Sequence, residues 1–314
     1  MENIYGEVAL RRLRTAFGPE LLCELENPEV TEIMANSDCR VFTEGACGKR
    51  ELAPITPQRT SEIIYTLSAS GGAAQKADDI IVSCDLPFGS ARFEGLLPPL
   101  CPGPCFSVRR HGCAGWDLAQ LAAAGMLTAR QLEILKAAVA AERSMIICGE
   151  TGSGKTTLLG ALLYEIKRCA PLTRVICLED TPELKIPLDD HVSLTTAPGF
   201  SLSDLVRSTL RLNPRRIVVG EVRGAEALDL VDALSSGHQG SLATLHAGTA
   251  EQALRRLLLM VSRHPQCPRH IEPLVAQAVD LLVVLGTRPR RHVTQICAVT
   301  GFSGGEFNLK FMEK

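Results

Sequence analysis

Two rhythms of apolar and polar positions divide this chain. In the first third, Leu10, Leu13 and Phe17 recur at helical spacing and predict a short helix over residues 6–16, and Pro19 suits the first turn of a second over 19–25. Short apolar runs at 30–34 and 40–43, separated by Asn36-Ser37-Asp38, predict a hairpin. Thr56-Pro57 opens a helix to about Ser70, with Ile63, Ile64 and Leu67 on its apolar face and Gly71-Gly72 as its stop. Strands at 80–82, 90–96 and 106–108 complete an antiparallel sheet, so this part reads as an α+β unit.

From Met145 onward the rhythm changes. Strands and helices alternate, which is the pattern of a parallel sheet with crossover helices. Strands are expected at 145–148, 174–179, 192–195, 216–220, 241–244 and 281–285, and helices at 155–168, 201–211, 225–236, 249–262 and 271–279. Residues 292–299 and 305–312 read as a terminal hairpin, and Thr128 can cap a helix over 129–142. Between the two rhythms, residues 111–127 carry turn chemistry and small side chains and read as a linker. The expected organisation is an α+β domain over 1–120 and an α/β domain over 121–314.

The first α/β strand leads into Gly149-Glu150-Thr151-Gly152-Ser153-Gly154-Lys155-Thr156-Thr157. This run matches the phosphate-loop pattern at every fixed position, with an apolar strand before it and an amphipathic helix after it. The glycines let backbone amides close around an anion, and the helix that follows points free N–H groups at it. Lys155 can reach the β- and γ-phosphates of a nucleoside triphosphate, and the Thr156 hydroxyl can ligate Mg²⁺.

Composition narrows the picture without changing it. Of 314 residues, 46% are hydrophobic and only 4% aromatic, as suits aliphatic α/β layers. The formal charge of −2 and the scarcity of aromatics disfavour direct DNA binding. The basic cluster Arg288, Arg290, Arg291 and His292 reads as a solvated turn. Residues 2–20 lack a secretory signal pattern, and the apolar run 281–285 is far short of the roughly 20 residues that span a bilayer. A cytoplasmic protein is expected, with any membrane docked to and not crossed. Of twelve cysteines, Cys84, Cys101, Cys105 and Cys113 lie close in sequence, with His111 beside the last, but their spacing does not suit zinc.

Hydrolysis of a triphosphate needs a carboxylate to orient or deprotonate water. In a parallel sheet the C-terminal ends of strands line the ligand edge. The apolar strand Ile217-Val218-Val219-Gly220 delivers Glu221 to that edge, where a water-activating base belongs. Gly220 stands where such strands commonly carry Asp, so Mg²⁺ would depend on Thr156, water and a second acid. Glu179, Asp180 and Glu183, at the end of another apolar strand, are the candidate sources. His238 and His246, flanking one strand with Gly237 and Gly240 nearby, suggest a polar loop that senses a phosphate oxygen.

These segments together resemble the secretion-traffic ATPases. The phosphate loop, Glu179-Asp180-Thr181-Pro182-Glu183-Leu184, the stretch from Arg207 to Glu221, Val222-Arg223-Gly224-Ala225-Glu226 and the paired-His segment occur in that family in this order. The resemblance is closest to the compact TrbB-like ATPases of type IV secretion systems. It covers nearly all of 90–260 and, more weakly, the first 90 residues.

The resemblance implies a RecA-like P-loop C-terminal domain and a smaller N-terminal domain, with ATP between them. It implies a ring, commonly a hexamer, at the cytoplasmic face of the inner membrane, working with secretion-channel and coupling proteins. Family roles carried over are phosphate and Mg²⁺ binding for Lys155 and Thr156, the catalytic carboxylate for Glu221 and γ-phosphate sensing for His246. Glu179 and Asp180 match the acidic box. Arg92 and Arg109 match arginines of the N-terminal domain that reach the phosphates. Arg207 and Arg211 match a helix whose arginines are candidates for contacts across a subunit interface. A nucleic-acid translocase and a slow nucleotide-dependent switch are the competing functional readings.

Overall fold

A computed structural model describes residues 7–27, 29–45, 48–70, 80–88, 91–110 and 115–313. The chain forms two compact units, Met1–Cys113 and Ala114–Lys314. Gly71, Gly72 and Ser90, and the His111 and Cys113 of the cysteine group, lie outside the described residues.

The first unit contains α1 (Glu7–Glu26), β1 (Val30–Ala35), β2 (Val41–Gly45), β3 (Gly48–Leu52), α2 (Pro57–Ser70), β4 (Ile81–Asp85), β5 (Ala91–Leu96) and β6 (Cys105–Arg110). The strands form one sheet in the order β3-β2-β1-β6-β5-β4, every pairing antiparallel. Alternation along the strands sends Ile33, Phe93 and Val108 into a core with Leu13, Phe17, Ile63 and Ile64 of the two helices. The two short helices expected at the start are the halves of α1. They break at Gly18, whose φ of 67° lies in the left-handed region. The Arg59 guanidinium on α2 donates to the Ala16 and Phe17 carbonyls at 3.1 and 3.0 Å, which satisfies the end of the first half. The pattern missed β3, whose residues are almost all exposed and so carry no apolar signal.

The second unit contains α3 (Leu118–Ala123), α4 (Ala129–Ala140), β7 (Met145–Gly149), α5 (Lys155–Cys169), β8 (Val175–Glu179), β9 (His191–Thr195), α6 (Leu202–Thr209), β10 (Arg216–Val222), α7 (Glu226–Ser235), β11 (Leu242–Leu245), α8 (Ala250–Val261), α9 (Glu272–Ala278), β12 (Leu281–Gly286), β13 (His292–Ser303) and β14 (Glu306–Glu313). Its sheet runs β14-β13-β12-β7-β11-β10-β8-β9. The strands from β12 to β9 pair in parallel, and β13 and β14 add the expected hairpin antiparallel at one edge. Ile146, Ile176, Val219 and Ala243 face one core with α7 and α8, while Ile147, Cys177, Val218 and Leu242 face another with α4 and α5. Burial on both faces is why these strands read as continuous apolar runs.

The stretch expected as a linker is partly built into this unit. Asp117 caps α3 through a capping box with Gln120, and Leu118 and Leu121 are buried in the core beside α5. Small residues and glycine hid a short helix with only two anchoring leucines. At the opposite end of the sheet from the phosphate loop, the buried Arg216 donates to the Gly240 and Val139 carbonyls at 3.1 and 3.3 Å. A Cβ at Gly240, whose φ is 72°, would strike that guanidinium. Arg216 thereby ties the start of β10 to the turn before β11 and the end of α4. Among the described residues, no helix is long and apolar enough to cross a membrane.

Candidate nucleotide site

The site is assembled from the C-terminal ends of four adjacent strands. After β7 the loop 149–154 turns through Gly152 and Gly154, with φ of 75° and 96°. Gly154 is the N-cap of α5 and supplies no side-chain hydrogen bond, so the first amides of the helix are left to another acceptor. The buried Ser153 hydroxyl has no hydrogen-bond partner, and a Cβ on Gly149 would strike it. Glu150, Thr151 and Gly152 are exposed, while Thr156 and Thr157 are half-buried in the first turn of α5. Glycines at fixed places, uncapped amides and an orphaned hydroxyl all suit an anion held in this loop.

Lys155 is buried, yet its ammonium is well supplied with acceptors. Its Nζ donates to the Gly149 and Glu150 carbonyls, both at 3.0 Å, and stands 3.5 Å from His246 Nδ1. An ammonium only donates, so Nδ1 accepts and the imidazole proton sits on Nε2. That N–H faces Glu221 Oε1 at 2.9 Å. The second oxygen of Glu221 accepts from Arg223 at 2.6 Å, and Arg223 also lies 3.6 Å from Asp180. The series Lys155, His246, Glu221–Arg223, Asp180 follows the strand order β7, β11, β10, β8. Each strand end contributes one link.

A bulge aims the central member. Between Val219 and Val222 the pairing of β10 with β11 slips by one residue, and Glu221 lies in that interval. Burial would push the Glu221 carboxyl up, but the hydrogen bond and charge of Arg223, with the charges of His246 and Lys155, outweigh it and hold the group below the usual carboxylate range. His246 is pushed down, first by burial and then by the Lys155 charge, against the pull of Glu221. Glu221 is therefore an anion and His246 a neutral donor at neutral pH.

Glu179 is different in kind. It is buried, and its Oε1 accepts from the Glu183 and Leu184 amides at 3.0 and 3.1 Å, closing the turn after β8. Burial raises its carboxyl, and the two amides oppose that rise. Gly220 on the neighbouring strand makes room for it, because a Cβ there would lie 2.9 Å from Glu179 Cγ. This explains why β10 carries glycine where an acid was looked for. Gly220→Ala should force the buried Glu179 side chain to move and cost about 1–3 kcal/mol, as overpacking does, read as a lower denaturant midpoint. A midpoint equal to that of the unmodified protein would remove this explanation.

The remaining sequence candidates fall in separate places. His238 lies at the start of β11, the end away from His246, and bonds the Ala233 carbonyl at 3.0 Å. The two histidines therefore do not form one sensor loop, since a strand carries them to opposite sheet edges. Arg207, on α6, donates to Asp229 at 2.8 Å and lies 3.0 Å from His264 Nε2, while Arg211 is exposed just beyond that helix. In the first unit, Arg92 and Arg109 are direct register partners on β5 and β6. Glu32 and Asp85 flank them in the same cross-strand row, on the sheet face turned away from the helices. Cys101 and Cys105 are neighbours, and the Cys105 thiol is pushed up to about 11 by burial and then by Cys101. Among the described residues, no three His, Cys, Asp or Glu side chains converge as a metal cluster.

Sequence reasoning assigned no role to Arg223, although its position two residues after Glu221, just past the end of β10, was the available signal. Ser153 belonged to the expected loop, but that its buried hydroxyl is left without a partner follows only from the loop's fold.

Residues 89–301 match the family model described as Type II/IV secretion system protein. The chain belongs to this family. Among type II/IV secretion relatives, it is 37% identical over 313 residues to "Probable conjugal transfer protein TrbB" of Sinorhizobium fredii, covering 99% of this chain and 96% of that one. The crystal structure of the VirB11 ATPase from the Brucella suis type IV secretion system, in complex with sulphate, shares 30% identity over 93% of this chain and 97% of its own, with a TM-score of 0.50. The ATPase DotB of Yersinia pseudotuberculosis has a TM-score of 0.67 over 97% of this chain and 82% of its own. At 15% identity it speaks for the fold alone.

Proposed function

We propose that this type II/IV secretion family member hydrolyses ATP and, as a hexameric ring on the cytoplasmic face of the inner membrane, powers conjugal transfer. Export of DNA or protein and pilus assembly are the work it would drive, through secretion-channel and coupling proteins. The observation that carries this reading is the hydrogen-bonded series from the phosphate-loop lysine through His246 to Glu221.

The chemistry follows from those residues. Loop amides and the uncapped start of α5 receive the phosphates, and Lys155 exchanges its Gly149 and Glu150 carbonyls for β- and γ-phosphate oxygens. The Thr156 hydroxyl, with Asp180 and Glu179, would hold Mg²⁺, which would neutralise phosphate charge; the Glu179 Oε2 that would serve now faces the Cys177 thiol at 3.8 Å. So few protein ligands suit an ion that keeps several waters. His246 turns its N–H from Glu221 to the γ-phosphate and so reports its presence. The freed oxygen of Glu221 then orients the attacking water and takes its proton. Arg92 and Arg109 supply cations to the phosphates from the N-terminal domain, and Arg207 and Arg211 act across a subunit interface. Loss of the γ-phosphate removes these contacts and lets the domains separate, which is the mechanical step.

The test is ATP turnover with Mg²⁺, alone, with single-stranded DNA and with phospholipid vesicles, together with the mass in solution bound to a non-hydrolysable ATP analogue. Mg²⁺-dependent turnover and a species of about six chains, the ring size the family resemblance implies, are expected, a head-to-tail contact forming a ring when its rotation closes. A chain that stays monomeric at all concentrations contradicts the ring. Large stimulation by DNA alone favours the translocase reading instead.

A further inference from the structure

Both oxygens of Glu221 face a donor. Its Oε1 faces the His246 N–H at 2.9 Å, and its Oε2 accepts from Arg223 at 2.6 Å. Each oxygen can accept a second hydrogen bond, and the oxygen that loses its donor becomes the more open and more basic one toward water. The two are not equivalent. His246 is a neutral donor whose other nitrogen faces Lys155, the group that phosphates would draw away. Arg223 brings a full positive charge to the anion as well as a hydrogen bond, whereas the imidazole brings only the hydrogen bond. The weaker donor leaves, and the stronger stays.

Arg223 also stands among acids. Asp180 lies 3.6 Å from one of its terminal nitrogens while the other holds Glu221, so a single planar guanidinium spans the ends of β8 and β10. Its side chain is 61% exposed and packs into no core, so its place is set by these two carboxylates. A lysine could not reproduce this, because an ammonium is a point donor and lacks the fixed fork that reaches two acids at once.

We propose that Arg223 is a positioning residue of the hydrolytic site: it grips Glu221 by Oε2 throughout the cycle and leaves Oε1 as the oxygen that His246 vacates for water. Its ion pair with Asp180, at 3.6 Å, ties the carboxylate that orients water to the acidic turn after β8. The inference rests on the ATPase reading above, and the experiment separates the two.

Arg223→Ala and Arg223→Lys are compared with the unmodified protein for kcat, KM, binding of a fluorescent non-hydrolysable ATP analogue and thermal midpoint. For Arg223→Ala, kcat should fall roughly 10–100-fold, the loss typical of removing an orienting partner, with analogue affinity and midpoint nearly unchanged. Arg223→Lys should recover only part of that loss. In single-turnover assays Arg223→Ala should add nothing to Glu221→Gln, because both changes disable one device. A kcat for Arg223→Ala within twofold of the unmodified protein overturns the proposal, as do losses that multiply in the double variant. If the unmodified protein itself fails to hydrolyse ATP, the ATPase reading falls and this inference with it.

Discussion

Glu221→Gln should lower ATP turnover by about 10²–10⁴-fold, the span of general acid–base contributions, while leaving nucleotide binding within a few-fold. The two side chains are nearly the same size, so packing at the end of β10 is preserved. What changes is charge and hydrogen-bond sense. Glu221 accepts on both oxygens, from His246 on one side and Arg223 on the other. An amide offers one acceptor and one NH₂, so one of those contacts becomes donor against donor. The amide also cannot take a proton from water. Phosphate binding survives because it belongs to the loop 149–157 and not to this strand end. Phosphate release under steady-state conditions, with analogue binding measured in parallel, reads both halves. Turnover within threefold of the unmodified protein would show that Glu221 is not the water-directing group. Normal DNA transfer and pilus production by a Glu221→Gln protein that hydrolyses nothing would favour the nucleotide switch.

Lys155→Ala should reduce turnover by about 10²–10³-fold, the loss seen when one donor to developing charge is removed, and should weaken nucleotide binding as well. The second effect separates it from Glu221→Gln. Lys155 is buried, with the Gly149 and Glu150 carbonyls and His246 Nδ1 around its ammonium. Its removal takes away the cation that meets the phosphates and, without nucleotide, the brace across the loop. It also removes a positive charge that helps hold His246 below its ordinary value. The His246 titration, followed by NMR, should therefore move to higher pH in Lys155→Ala. An unchanged titration would mean that burial and the other nearby cations, Arg256 and Arg223, depress it without Lys155, and unchanged turnover would displace the site from this loop.

How much of this was legible in the chain differs from place to place. The strands β7, β8, β10, β11 and β12 were all readable, because burial on both faces leaves unbroken aliphatic runs that no exposed element produces. The helices announced themselves by apolar stripes and by caps such as Thr128, which caps α4 as the sequence suggested and, in the structure, completes a capping box with Gln131. Elements without a core face were not readable: β3 is nearly all exposed, and α3 is anchored by only two leucines. The phosphate loop was legible because its chemistry is local. Backbone amides, glycine conformations and the lysine lie within nine consecutive residues, so the motif carries its own geometry.

The rest of the site is not local. Lys155, His246, Glu221, Arg223 and Asp180 are scattered over the chain, and strand order alone brings them into one line. Sequence could place Glu221 at the end of a strand. It could not tell that β11 lies between that strand and the loop, so that His246 stands between base and lysine while His238 goes to the other edge. Nor could it show that Gly220 is small because the buried Glu179 crosses it from the neighbouring strand. Local chemistry by itself determined the anion-binding loop and the type of each central element. The order in which parallel strands lie side by side decided which distant side chains meet, because crossover connections free neighbours in the sheet from being neighbours in the sequence.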